Sequence, residues 1–456
     1  MNELIAAGGV FAHEGLKGFL GALGIHHGHL QGEASGRGHG GLLELARVHL
    51  SKTLETLDIH FGAAVFLEEL VLLRVVVGVQ GAKTFSGPYA DIMKNSSNAQ
   101  KIVFAWWNHE VGKGLGVQLD LKGYDFRYDA TITASKWPGV LSGDKPIAHL
   151  GIGGPDVAAL MKRLPNDKVP LFLATGTYGF IWGPGFWIFN ARPTYWHEAV
   201  GFYKYMYDKE FKRKIRITLI NTQGIPAYEE FVTAAKKYAA EAADAVVEVV
   251  GVEWVPLRPV DLTSQIGRLV KEKPDFIDVY TNTPQVVATV RALQTLNKQI
   301  PLRMSSHNGI EVSAKAFGNL KDLEGCYDSY SLRPAVDRSV PAYEVFMKYK
   351  DQIDKEADYD GAAVQAMMNA TMVFRAVERV IKSKGVEGVN GENLYNSMFD
   401  VNTTSAQLLG LSNDQYFTRE RPFPAKNLAC MGTTVKNGKQ ELVTKEWIPI
   451  PEVPKW

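Results

Sequence analysis

The sequence predicts an α/β protein of two doubly wound parallel-sheet lobes, joined by three crossover segments, with a ligand cleft between them. Three observations point there. The chain has 456 residues, 46% hydrophobic and 22% charged, an ordinary globular mix with room for roughly two to three domains of about 150 residues. Short apolar runs alternate with helical stretches, the pattern of βαβ units and of sheets covered on both faces. Where the alternation breaks, the connectors are rich in Gly, Pro and aromatic residues.

The elements follow in order. Residues 75–79 form a β-branched run, too short for a helix and suited to a buried strand. A helix is expected from about Ser86 through 90–110, closing near Gly112. Further strands are expected at 147–152, 171–174, 215–220, 246–252 and 276–280. Helices are expected at 155–164, 195–211, 228–243, 262–271, 284–296, 340–353 and 361–384. Near the end, 428–435 and 441–447 flank Asn437-Gly438, a hairpin signal. Residues 179–193, 325–334 and 422–424 read as the crossovers. They divide the chain into one lobe of 75–192 plus 331–424 and a second of 193–330 plus 425–456.

The first 74 residues stand apart. They contain no Pro, Tyr or Trp yet hold seven of the eleven histidines: His13, His26, His27, His29, His39, His49 and His60. His26, His27 and His29 have the closeness of a metal-binding tract, but the glycines across 21–41 give no rigid frame to fix ligand geometry. A secretory signal does not fit either. Glu3 precedes any basic residue, and Glu68, Glu69 and Arg74 break the apolar stretch over 61–79. Residues 1–74 are therefore expected to lie outside the working fold.

Composition excludes some functions. Fifty Lys and Arg against 49 Asp and Glu leave a formal charge of +1, without the basic excess of a nucleic-acid binder. Cys326 and Cys430 are the only cysteines, too few for a disulfide scaffold or a cysteine zinc site. No uncharged apolar stretch reaches the roughly 18 residues of a membrane-spanning helix.

In doubly wound sheets ligands bind beyond the carboxyl ends of strands. The loops to read are 84–89, 153–156, 175–178, 221–228, 281–283 and 305–308. They are rich in Gly, Ser, Thr, Asn and Tyr and poor in acid–base groups. Helices starting at Ser86 or Gly154 would aim their positive ends inward, which suits a carboxylate; plain turn chemistry is the bland alternative. The run from Gly151 to Asp156 resembles a dinucleotide loop but has Asp156 where a third glycine belongs. No phosphate loop, G-x-S-x-G elbow or H-E-x-x-H helix is present, so no cofactor, metal or catalytic residue is expected. Beyond the N-terminal segment, His109 and His197 fall in helices and His149 in a strand; only His307 lies in a post-strand loop. Trp106, Trp107, Met367, Met368 and Met372 read as core. Trp182, Phe186 and Trp187 leave packing and ligand stacking both open.

Residues 75–456 resemble the solute-binding proteins of ABC transporters, in their Leu/Ile/Val-binding family. Residues 75–78 followed by Thr84-Phe85-Ser86-Gly87-Pro88-Tyr89-Ala90 resemble the family's opening strand and turn. Residues 104–116, with Asn108 and Gly112, resemble its first helix end, and 124–129 the next strand. Residues 149–155 and 170–177 resemble two strand–loop units. Residues 215–228, ending in Ala227-Tyr228-Glu229, resemble the strand before its "aYG" element, and 426–447 the closing strands. The resemblance implies the type I periplasmic binding fold and a non-enzymatic protein. That protein would bind a small molecule by hinge closure, hand it to a membrane permease, and act as a monomer in the periplasm. It implies a ligand shell of Ser86, Gly153, Gly154, Thr175, Thr177, Tyr228, Asn282, His307 and Asn308. A ligand-sensing regulator or an enzyme on the same scaffold stays open.

The residues also suggest the ligand. Ser86, Thr175, Thr177 and the Gly153-Gly154 backbone would hold a carboxylate. A buried ammonium needs a carboxylate or several acceptors, and 305–308 has no acid. Asp156 could serve or could cap its own helix; Asp328 and Asp360 serve only if their loops reach the cleft. Tyr178, Trp182 and Tyr228 favour a flat apolar body. Among small carboxylate-bearing molecules (amino acid, aromatic acid or related compound), the expectation is a carboxylate lacking an α-amino group, such as an aromatic acid, over a branched-chain amino acid.

Overall fold

The computed structural model describes Val71–Val79 and Ala90–Trp456. Ser86, the rest of the 84–89 loop and the N-terminal histidine tract lie outside the described residues. The described residues fall in one compact unit.

The first sheet is built from β1 (Val71–Val79), β2 (Val117–Asp125), β3 (Ala148–Gly151), β4 (Leu171–Leu173) and β5 (Ile188–Asn190). All pair in parallel, in the order β2-β1-β3-β4-β5. β1 begins at Val71, not Val75, because its ladder with β2 runs unbroken from Val71↔Val117 to Val79↔Asp125, and Leu73 is buried. The composition break therefore falls inside the strand.

The helices of this part are α1 (Ala90–Glu110), α2 (Ala130–Asp144), α3 (Gly154–Leu160) and α4 (Leu164–Asp167). The strand expected over 124–129 ends at Asp125. Arg127 and Tyr128 then take positive φ, and Asp129 caps α2 by accepting from the Thr131 and Ile132 N–H groups at 2.7 and 3.0 Å. α2 was hidden in the sequence by Pro138, Gly139 and Gly143.

The second sheet begins after α5 (Tyr195–Met206). It holds β6 (Ile215–Asn221), β7 (Val247–Trp254), β8 (Phe276–Val279), β9 (Leu302–Met304) and β10 (Tyr327–Tyr330), with α6 (Pro226–Glu241), α7 (Thr263–Lys271), α8 (Thr283–Thr295) and α9 (Ile310–Phe317) between them. Next come α10 (Pro341–Ile353), α11 (Gly361–Lys384), α12 (Gly391–Ser397) and a small pair, β11 (Asn402–Thr403) with β12 (Gln415–Tyr416). The chain closes with β13 (Ala429–Lys436), β14 (Lys439–Leu442) and β15 (Ile448–Pro449). The order is β14-β13-β10-β9-β8-β6-β7, with β13 antiparallel to β10, β14 and β15. The Asn437-Gly438 hairpin forms, both residues at positive φ.

α10 and α11 pack on α1, and α11 also lies on β3 and β4, whereas α5 lies on β10 and β13. The chain thus passes between sheets after β5, after β10 and before β13. Short buried strands, β5 and β10, occupy what the sequence reads as crossover, because Gly, Pro and aromatic residues on either side obscure them. Trp107 is core, stacked on Phe374 at 5.4 Å and donating Nε1–H to Glu378 at 2.7 Å. A second apolar core fills the α7–α8–α9 face of the second sheet.

Candidate functional site

Each sheet has the 2-1-3-4-5 order, and in such sheets the ligand crevice opens where the strand order reverses. In the first sheet this point lies between β1 and β3, facing Gly153-Gly154. In the second it lies between β6 and β8, facing Tyr228 and Asn282. The loops after β4 and β9 stand beside them.

At these ends the described residues form an aromatic cluster. Tyr178, from the loop after β4, approaches Thr175 Oγ1 at 3.3 Å and sets its hydroxyl 3.7 Å from where a Cβ on Gly154 would stand. An added Cβ on Gly153 would stand 2.8 Å from the Tyr128 hydroxyl and 3.1 Å from that of Tyr178. Glycine there lets two hydroxyls close over the backbone. Tyr195, in the first turn of α5, packs against Gly176. Its ring lies 4.9 Å from that of Tyr280 and 5.6 Å from that of His307. Tyr228 lies parallel to His307 at 6.1 Å and donates its hydroxyl to Asn282 Oδ1 at 2.7 Å. Loops of both sheets therefore meet through Thr175, Tyr178, Tyr195, Tyr280 and His307.

Electrostatics fix the protonation states. Burial pushes the hydroxyls of Tyr178, Tyr195 and Tyr280 above the usual phenol range, so each stays protonated. His307 is pushed down to about 4 by burial and by the Arg192 cation. Its Nε2 lies 2.8 Å from the Thr281 carbonyl.

Arg192 is the polar centre beneath the cluster. It is fully buried and forks onto Glu198, Nε to Oε1 and Nη2 to Oε2, both at 2.7 Å. Its Nη1 donates to Ser306 at 2.9 Å and to Gln365 of α11 at 3.0 Å. Burial opposes the charge, but Glu198 outweighs it and holds the guanidinium above its ordinary value.

Some sequence-assigned residues are engaged elsewhere. Thr177 donates to the Arg192 carbonyl at 2.7 Å, tying the loop to the crossover. Asn308 donates to the Val279 carbonyl and accepts from Ser305 N–H, bracing its own loop. Asp156 accepts from the Ile152 and Gly153 N–H groups at 2.8 and 3.3 Å and faces His149 at 3.5 Å, so it caps its own helix. Asp328 accepts from Ile310 N–H and Thr433 within the second sheet. Asp360 caps α11 and pairs with Lys315. Trp182 packs on Phe423 and Trp456, away from the cluster.

Sequence reading missed Arg192, Tyr195, Tyr280 and Ser306. Tyr280 looked like a strand end, and the one usable signal for Arg192 was a lone cation in an aromatic crossover six residues before Glu198. It also missed two glutamates that reach across. Glu230 of α6 accepts from the Gly179 N–H, and Glu311 of α9 accepts from the Gly361 N–H at 2.8 Å. Burial raises both to about 7.

Among the described residues, no three His, Cys, Asp or Glu side chains are placed to hold a metal, and no helix is long and apolar enough to cross a membrane. Cys326 and Cys430 are buried and unpaired. A hollow of about 820 Å³ lined by Phe276, Leu302 and Tyr327 opens at the amino ends of the second sheet's strands, opposite the end where such sheets bind ligands.

The sequence profile described as "Periplasmic binding protein" matches residues 77–419. The chain belongs to the periplasmic binding protein family. Its type I fold is shared with a substrate-binding protein of an ABC transporter from Aeropyrum pernix, at TM-score 0.70 and 17% identity over 84% of this chain and 96% of that one. A Thermus thermophilus branched-chain amino acid ABC transporter protein with bound valine gives 0.67 and 15%, over 82% and 96%. A Rhodopseudomonas palustris solute-binding protein in complex with benzoate gives 0.64 and 14%, over 84% and 98%. A search of curated protein sequences finds no match. The periplasmic binding protein scaffold accounts for the two equivalent sheets and for loops of both meeting at one site.

Proposed function

We propose that this chain is the solute-binding component of an ABC importer. It holds a small carboxylate without an α-amino group, an aromatic acid rather than a branched-chain amino acid, between its lobes. It acts by hinge closure in the periplasm, as a monomer delivering its solute to a membrane permease, and it performs no chemistry. Ser86, Gly153, Gly154, Thr175, Tyr178, Tyr228, Asn282 and His307 form the ligand shell, with Tyr195 and Tyr280 added to it.

The observation that carries this reading is the state of the acids around the cluster. Asp156, Glu198, Glu230 and Glu311 each already have a partner, two of them backbone N–H groups across the sheets. A ligand ammonium would have to share a carboxylate that is already engaged, and an incompletely paired buried charge costs several kcal/mol. The protonated hydroxyls of Tyr178 and Tyr195 and the Thr175 side chain favour an anionic oxygen instead, and the flat aromatic walls favour a flat body.

Parallel calorimetry on benzoate and leucine tests the ligand class, and small-angle scattering at saturation tests closure. The expected outcome is benzoate-class binding with compaction. Tight leucine binding, or unchanged scattering with bound acid, would refute the ligand class or the closure respectively.

A further inference from the structure

Two polar atoms in the aromatic cluster have no hydrogen-bond partner: His307 Nδ1 and Tyr280 Oη, both buried. Tyr280 is fully buried, its ring stacked on Phe231 at 4.0 Å. Buried polar atoms are almost always paired, and an exception at a ligand crevice points to a group the ligand supplies.

The chemistry of the His307 atom is fixed by its other nitrogen. Nε2 lies 2.8 Å from the Thr281 carbonyl, and a carbonyl only accepts, so Nε2 carries the proton. In a neutral imidazole the second nitrogen is then an acceptor. Burial and the neighbouring Arg192 push the ring's pKa down to about 4, so it is neutral across the physiological range. The same two influences that keep a proton off Nδ1 also repel a cationic donor. Nδ1 therefore asks for a neutral donor, an O–H rather than an ammonium, and it rejects a carboxylate oxygen.

We propose that His307 is a specificity-determining residue whose Nδ1 accepts a hydrogen bond from a neutral hydroxyl of the ligand, so that the site selects hydroxylated aromatic acids over unsubstituted ones. Tyr228 lies parallel to the imidazole, and Tyr280 and Tyr195 flank it edge-on at 5.6 Å each. These contacts hold the ring plane, and with it the direction of the lone pair. Tyr280 Oη is a second buried atom of the cluster without a partner. A site built around a substrate hydroxyl discriminates strongly against analogues lacking it, because its own polar atom is left unpaired. This inference rests on the aromatic-acid reading above.

The experiment is calorimetry on the full chain with benzoate, 3- and 4-hydroxybenzoate and the matching methoxybenzoates. One hydroxybenzoate is expected to bind at least about tenfold tighter than benzoate and its methoxy analogue, which is about 1.4 kcal/mol. His307→Phe is expected to erase that preference, bringing the affinities for the preferred hydroxybenzoate, its methoxy analogue and benzoate to within about threefold of one another, or roughly 0.7 kcal/mol. Nitrogen NMR of the His307 ring on the unaltered chain is a second readout. It is expected to show an unprotonated Nδ1 at neutral pH that shifts on adding the preferred hydroxybenzoate. Equal binding of all the acids, a preference that survives in His307→Phe, or a protonated Nδ1 would overturn the role of His307 and leave the aromatic-acid reading standing. No binding by any of the acids would overturn both.

Discussion

Glu198→Gln tests whether the buried Arg192–Glu198 pair holds the two sheets together. Both side chains are fully buried, and the pair is bidentate with both bonds at 2.7 Å. Glu198 also accepts the Ser331 N–H at 2.8 Å at the second crossover. The substitution keeps the shape but turns an amide N–H₂ toward guanidinium donors and leaves the cation unneutralised. Breaking such a pair from one side costs about 3–5 kcal/mol. The compact unit holds roughly 390 residues, and about 2.1 cal/mol/K per residue gives an unfolding entropy near 0.8 kcal/mol/K. The expected loss in Tm is then about 4–6 °C by scanning calorimetry on the full chain. Arg192→Met should show a comparable loss, and the double substitution much less than the sum. A Glu198→Gln Tm within about 1 °C of the parent would refute the claim that this pair holds the two sheets together.

Three further outcomes are expected. Glu230 and Glu311 are raised to about 7 from 4.5 by burial, so their stabilising contribution is complete below the unfolded value and is lost as pH rises through about 7. Relative to the parent, Glu311→Gln should therefore gain on the order of 2 kcal/mol between pH 5 and pH 8 in denaturant titrations; a constant difference refutes the shift. Gly391→Ala would place a Cβ 1.9 Å from the Lys168 carbonyl oxygen, a backbone clash no rotamer relieves, and should cost about 3 kcal/mol in urea unfolding. Asp156→Asn should cost about 1 kcal/mol through its cap and leave acid binding within about threefold; collapse of binding would make Asp156 a ligand group.

The resemblance of the sequence to a solute-binding family, and the two-sheet α/β plan, were legible because they rest on local signals. Apolar runs such as 215–220 and 276–280 must be buried on both faces, and the helices that follow them carry a local start signal, Pro226 and Pro284 in the first turns of α6 and α8. The hairpin at Asn437-Gly438 needed only two adjacent residues able to adopt positive φ. Gly153, Gly154, Tyr178, Tyr228, Asn282 and His307 could be put forward from sequence for the same reason, since each lies in a loop directly after a strand or at the start of the helix that follows it.

What the tertiary structure decided is which polar atoms remain available. The sequence cannot say that Asp156 turns back on its own loop, that Thr177 serves the Arg192 carbonyl, or that Asn308 braces Val279, because each partner is set by chain geometry. Tyr280 reads as core from its strand, and it joins the aromatic cluster only because Tyr195, Tyr228 and His307 converge on it from three separate elements. Arg192 pairs with Glu198 in its own segment but reaches Ser306 and Gln365 more than a hundred residues away. Burial, which sets the protonation of His307, Glu230 and Glu311, is a property of that convergence and not of any residue's neighbours in sequence.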